Sequence, residues 1–232
     1  MVDASDFETD RVRSEVAAWE AAGQRVPVGD HHVWCARFAA TGRADAASNP
    51  PLRVLHGLPT CWLDWRLARP ALRATRDVVV VDMVGFGLSD KPDVRYGLRL
   101  SADGVEAAAA ALELGEVDLV THDMGDSVGG ELLARSLEGT LGFTVRRRVI
   151  SNGSIYLDMA HLTAGQDMLM SLPDAREELV ASDGGVAFRA GFAGTFAPAS
   201  TVDDLELDCV VALARREGGL ALLPRTIRYL DD

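Results

Sequence analysis

Lysine is nearly absent from this 232-residue chain: Lys91 is the only one, and arginine supplies the other basic side chains. With 23 basic against 35 acidic residues, the formal net charge is −12. The basic stripe that a phosphate backbone needs is therefore missing, which disfavours a nucleic-acid partner. Cysteine is scarce. Cys35, Cys61 and Cys209 are odd in number, far apart and without a C-x-x-C spacing, so neither a disulfide framework nor a metal site is expected, and a reducing cytoplasm is the simplest setting. No apolar run is long enough to span a bilayer. The acidic opening MVDASDFETDRVRSEV lacks the apolar stretch of a secretory signal. Hydrophobic residues are plentiful, at 48%, and the length suits one large domain or one domain with an insertion.

Apolar runs and turn signals alternate along the first two thirds. Residues 11–22 read as a short helix with Val12, Val16 and Trp19 on one side. QRVPVGDHHVWCARF alternates around Gly29-Asp30 and predicts a hairpin, with His31 and His32 solvated at its turn. LRVLHG (52–57), DVVVVDM (77–83), VDLVTH (117–122) and RRRVISNG (146–153) read as strands, the second apolar enough to be buried on both faces. Helices are expected at 62–75, at 101–114 from a Ser101 cap, and at 126–138. Strands alternating with helices predict right-handed βαβ units and a mostly parallel sheet. Residues 156–230 carry helical patterns, one opening at the Ser/Thr cap of STVDD, and no strand signal.

VDLVTHDMGDSVGG (117–130) poses a choice of nucleophile. It holds a literal G-x-S-x-G around Ser127, and two residues upstream the pattern Thr121-His122-Asp123-Met124-Gly125. A nucleophile elbow follows its strand immediately and precedes a helix. Reaching Ser127 would need the strand to run on through His-Asp-Met-Gly-Asp, which is polar and contains glycine. Asp123 is therefore the candidate nucleophile, and Ser127 falls in the first turn of the helix. A carboxylate can attack an electrophilic carbon and form an ester that water then hydrolyses. The helix start favours negative charge at the turn, and Asp126 complements the same dipole. VLHGLPT ends another strand in His56-Gly57, so the backbone N–H groups of Leu58 and Met124 are read as an oxyanion hole.

Structural roles compete for the same residues. Asp123 alone also reads as an N-cap, and His56 and His122 as turn histidines. DMVGFGLSDKP (82–92) lacks the third glycine of a dinucleotide fingerprint; it reads as a turn closing a pocket wall, with Ser89 not catalytic and no cofactor expected. Met168, Met170 and the nearby leucines read as core.

HGLPT, DMVGFGLSDKP, HDMGDSVGGELLAR and ISNGSIY, in that order, resemble the α/β-hydrolases, in particular the group of the mesoderm-specific transcript protein, the epoxide hydrolases and the haloalkane dehalogenases. The likeness covers about residues 19–160. It implies an α/β-hydrolase core over 1–155, a helical cap over 156–232, Asp123 as nucleophile, and a small apolar electrophile as substrate. Dehalogenases place a halide-binding Asn and Trp where this chain has Leu58 and Met124, so dehalogenation is the weaker alternative. Epoxide hydrolases use cap tyrosines as proton donors. Only Tyr156 and Tyr229 lie near or in the cap, and Tyr229 matches the late one. The resemblance also implies two further core strands, an acid and a base histidine that this sequence does not show; after the elbow its one histidine is His161. A truncated hydrolase and a non-catalytic binding or assembly module, self-associating through an uncovered sheet edge, are both open on these grounds.

Overall fold

The computed structural model describes residues 4–42, 49–153, 161–172, 183–197 and 203–232. Its six strands are β1 (Gln24–Val28), β2 (His31–Phe38), β3 (Leu52–Leu55), β4 (Val78–Val81), β5 (Glu116–His122) and β6 (Thr144–Ser151). They form one sheet in the order β1-β2-β4-β3-β5-β6. β2 is antiparallel to both its neighbours, while β4, β3, β5 and β6 run parallel. All residues of β3 and β4 are buried, Arg53 of β3 included; the continuous apolar run of β4 is that of a strand covered on both faces.

Helices α1 (Asp10–Ala21), α3 (Leu98–Ala111) and α4 (Met124–Glu138) flank the strands; α2 is a single turn, Arg69–Arg73. On α3, Ala102, Val105, Ala108 and Ala109 form the buried stripe that a 3.6-residue period demands. Residues 161–232 add helices and no strand among the described residues: Ala164–Ser171, Val186–Ala193, Asp204–Arg215 and the turns that follow. Val210 and Leu213 of the third bury against Trp34, Trp62 and Leu88, which locks this helical part onto the sheet domain.

Several boundaries differ from the sequence reading, each for a local reason. The segment 62–75 is not one helix. A 3-10 turn, Trp62–Trp65, and α2 are separate, because Pro70 fits only the first turn of a helix. Helix α3 begins at Leu98, a turn before Ser101, and Ser101 is buried within it. Its first N–H is capped from afar, Leu98 N–H donating to Asp232 Oδ2 at 2.7 Å. The expected Ser200-Thr201 cap lies outside the described residues, and Asp203 supplies the cap by accepting from Leu205 N–H. His31 and His32 open β2 rather than sitting in the turn, and His32 N–H donates to Asp90 Oδ2 at 2.7 Å. Met168 is 49% exposed rather than core, whereas Met170 packs against Leu169, Leu220 and Ile227.

Strand β6 is the outer strand on its side and pairs only with β5 among the described residues. Val149 and Ile150 on it are 57% and 47% exposed. No helix among the described residues is long and apolar enough to cross a membrane.

Candidate active site

The parallel register sets the carboxyl ends of β3 and β5 side by side: Leu55 pairs with Thr121, and His122 with Ser151 of β6. The loops leaving those ends meet over the sheet, where open α/β sheets gather their functional groups. Asp123 leaves β5 with φ 53° and ψ −124° and α4 starts at the next residue. A non-glycine residue in this region is strained and persists only where its surroundings hold it. Here Asp123 N–H donates to Ser151 O (3.1 Å) and Asp126 N–H to Asp123 O (2.9 Å). Ser127, by contrast, lies inside α4, so the sharp turn is at Asp123 and not at the serine of G-x-S-x-G.

The turn is possible because backbones touch there. A Cβ on Gly57 would sit 2.6 Å from Asp123 Cβ, and one on Gly125 would sit 2.7 Å from His56 O. The Asp123 side chain makes no N-cap hydrogen bond. It turns instead to the β3 loop, where Leu58 N–H donates to Asp123 Oδ1 at 2.7 Å. Met124 N–H belongs to the first turn of α4, whose donors have no intrahelical acceptor, and the Met124 side chain is buried in the core.

The aim of the Leu58 N–H is fixed from the opposite side of its own peptide. Gly57 O accepts from Thr60 N–H (3.2 Å) and from His56 Nδ1–H (2.9 Å). His56 Nε2 accepts in turn from Met83 N–H (3.0 Å), which fixes the tautomer. Burial lowers the His56 pKa to about 4, so the ring is neutral and structural, as the sequence suggested. His122 stacks edge-on against Trp65 at 6.4 Å. His161 is exposed. No hydrogen bond among the described residues joins a histidine to Asp123.

Tyr229 is 7% exposed, and its pKa is pushed up first by burial and then by the Asp123 carboxylate. The phenol thus lies within electrostatic reach of Asp123 and stays protonated. Tyr156 lies outside the described residues. Asp126 does more than complement the helix dipole: buried, it accepts from the Thr121 hydroxyl, while Arg148 of β6 donates to its backbone O at 2.5 Å. These bonds tie β5, β6 and α4 together behind the elbow.

Asp64 escaped the sequence reading. Gly57 N–H donates to its Oδ2 at 3.1 Å and the Thr60 hydroxyl at 2.5 Å. Reading 62–75 as one helix gave this carboxylate no part in the loop; Pro70 was the signal against that helix. Asp82, fully buried, accepts from Trp62 N–H (2.7 Å) and Leu88 N–H (2.9 Å). The 82–92 segment therefore braces the same loop, and it supplies Gly85, Phe86 and Gly87 to the wall of a small cavity with Pro59 and Thr60. Among the described residues no cluster of three or more His, Cys, Asp or Glu could hold a metal ion.

A strained aspartate thus stands between a parallel strand and a helix, facing a backbone donor from the neighbouring strand's loop, and the sheet order with its flanking helices is that of an α/β hydrolase. The family model for the alpha/beta hydrolase fold matches residues 50–194, and the chain belongs to that family. It is 37% identical over 218 residues to the LipZ protein of Mycobacterium tuberculosis, covering 94% of this chain and 72% of that one. The mesoderm-specific transcript homolog protein of Bos taurus is 29% identical over 184 residues, 77% of this chain and 55% of that protein. Among solved structures, the epoxide hydrolase CorEH is similar in fold, with a TM-score of 0.70 at 20% identity over 89% of this chain and 72% of that chain.

Proposed function

We propose that this chain carries an epoxide-hydrolase-like site that works through an alkyl ester on Asp123. The observation that carries the reading is the placement of Asp123 at the strained turn with Oδ1 on Leu58 N–H. That bond leaves Oδ2 to attack. In the first step Oδ2 bonds an epoxide carbon, the ring C–O bond breaks, and the ring oxygen takes a proton from Tyr229. Such a phenol is a general acid only while protonated, and burial keeps it so. In the second step water adds to Cγ and gives its proton to a solvent base, the oxyanion forms on Oδ1 against the Leu58 and Met124 N–H groups, and the Cγ–Oδ2 bond breaks as the leaving alkoxide is protonated; the Asp123 acid so formed returns its proton to the Tyr229 phenolate.

Residues 156–232 are read as the cap over a core of 1–155, and the substrate as a small apolar electrophile. Leu58 and Met124 offer no side-chain donor for a halide, which ranks dehalogenation below epoxide opening. The reading assigns no histidine to the second step, so the ester should accumulate on this chain. A positioned base typically contributes roughly 10²–10⁴-fold. Styrene oxide is the probe. Wild type and Ser127→Ala should take up one equivalent by intact mass, and Asp123→Asn none. Labelling that survives Asp123→Asn and is lost in a folded Ser127→Ala overturns the assignment.

A second reading, a module that assembles through its sheet edge, is favoured by the exposed Val149 and Ile150 on β6.

A further inference from the structure

Asp64 sits in the 3-10 turn Trp62–Trp65, and that turn is fastened to the sheet at both ends. Trp62 N–H is held by the buried Asp82 carboxylate at 2.7 Å, and Trp65 Nε1–H donates to Leu55 O at 3.2 Å. Between these anchors, Asp64 Oδ2 takes the Gly57 N–H and the Thr60 hydroxyl. Consecutive backbone N–H groups thus hold the two carboxylates: Gly57 holds Asp64, and Leu58 holds Asp123. The residue before the oxyanion donor cannot hold itself in place through a side chain, because Gly57 has no room for a Cβ beside Asp123. Its position must come from a bond to its backbone.

We infer that Asp64 is a positioning residue of the oxyanion hole: it holds the His56–Gly57 peptide by its N–H, and Thr60 between Asp64 and Gly57 O, so that Leu58 N–H stays on Asp123 Oδ1. The inference rests on the ester reading of Asp123. It has a signature that a general loosening of the fold lacks. In alkylation the carboxylate loses charge, so the Leu58 bond to Oδ1 is strongest in the ground state and its loss does not slow the step. In hydrolysis water bonds Cγ, its proton passes to a base, and the electron pair moves onto Oδ1. The pair returns as the Cγ–Oδ2 bond breaks, and the leaving alkoxide takes the proton. Only this second step builds charge on Oδ1, where removal of one donor costs about 10²–10³-fold.

The test uses wild type, Asp64→Ala and Asp64→Asn. Each is labelled with styrene oxide, freed of excess reagent and followed by intact mass, with imidazole added as external base. Asn keeps an oxygen that accepts from Gly57 N–H and Thr60 O–H, so it preserves the clamp while removing the charge. Labelling rates should agree within about threefold, and ester decay should slow about ten- to hundredfold in Asp64→Ala but not in Asp64→Asn. Decay in Asp64→Ala at the wild-type rate overturns the inference. So does decay in Asp64→Asn as slow as in Asp64→Ala, which would mean that the charge acts rather than the clamp. Absence of label on wild type instead defeats the ester reading itself, so the two failures are distinct.

Discussion

Gly125→Ala tests the geometry of the elbow without touching a functional side chain. The added Cβ lies 2.7 Å from His56 O, 2.9 Å from Leu55 O and 3.0 Å from Leu55 Cβ. The two oxygens are backbone, at the end of a strand buried on both faces, so they cannot swing away. An ordinary contact needs about 3.5 Å, and the first turn of α4 must therefore retreat by roughly 0.8 Å. Overpacking of this kind costs about 1–3 kcal/mol. At about 2–4 °C per kcal/mol for a chain of this size, Tm falls by roughly 2–12 °C. The same retreat draws Asp123 off the Leu58 N–H, and a misplacement near 1 Å costs about 10²-fold in rate. Gly130→Ala is the control, because it lies on the same helix with nothing within 4 Å of an added Cβ. There alanine should stabilise by about 0.5–1 kcal/mol and leave labelling unchanged. Thermal melts and styrene oxide labelling of the two variants give the comparison. Equal behaviour of Gly125→Ala and Gly130→Ala would refute the claim that backbone contact at Gly125 sets the elbow.

Other parts of the molecule make independent predictions. Asp82 has its pKa raised to about 7, chiefly by burial, above an unfolded value near about 4. The fold therefore holds this proton longer than the unfolded chain, and its contribution to stability falls as pH rises from about 4 to about 7. Asp82→Asn should remove that slope from a Tm-versus-pH series. It should also cost about 1–3 kcal/mol by leaving one of the Trp62 and Leu88 N–H donors unmet; an unchanged slope contradicts the assignment. Arg53 is fully buried, with one bond to Val105 O at 2.6 Å and no partner for Nε or Nη2 among the described residues. The Phe143 ring, 5.7 Å from Cζ, adds a weak further compensation; replacing so weakly compensated a buried charge by an apolar group removes a desolvation cost, so Arg53→Met should raise Tm, and a fall would show that the carbonyl bond and the ring contact outweigh that cost. If β6 mediates assembly, Val149→Lys should shift the chain toward monomer in sedimentation velocity; an unaltered distribution removes the edge from consideration.

The buried strand β4 was legible because VVVV has no solvent face, and the sharp turn because VDLVTH stops being strand-like after His122. The preference for Asp123 over Ser127 came from where the strand had to stop and from the His56-Gly57 turn at the neighbouring strand end; the structure puts the positive φ at Asp123 and Ser127 inside the helix. Loop geometry was not legible. The clamp on Gly57 depends on a turn seven residues downstream, and the brace on Trp62 on a carboxylate twenty residues downstream. Neither contact has a local pattern. The start of α3 was misplaced because its cap comes from Asp232, across most of the chain, and a plausible local cap, Ser101, stood in its place.

The most direct test of the account is where a single equivalent of styrene oxide attaches to the wild-type chain. Peptide mapping of the labelled protein should place the adduct on Asp123, as an ester cleaved by hydroxylamine. An adduct on Ser127, on a cysteine or on a histidine, or no adduct on a folded chain, would contradict an aspartate nucleophile.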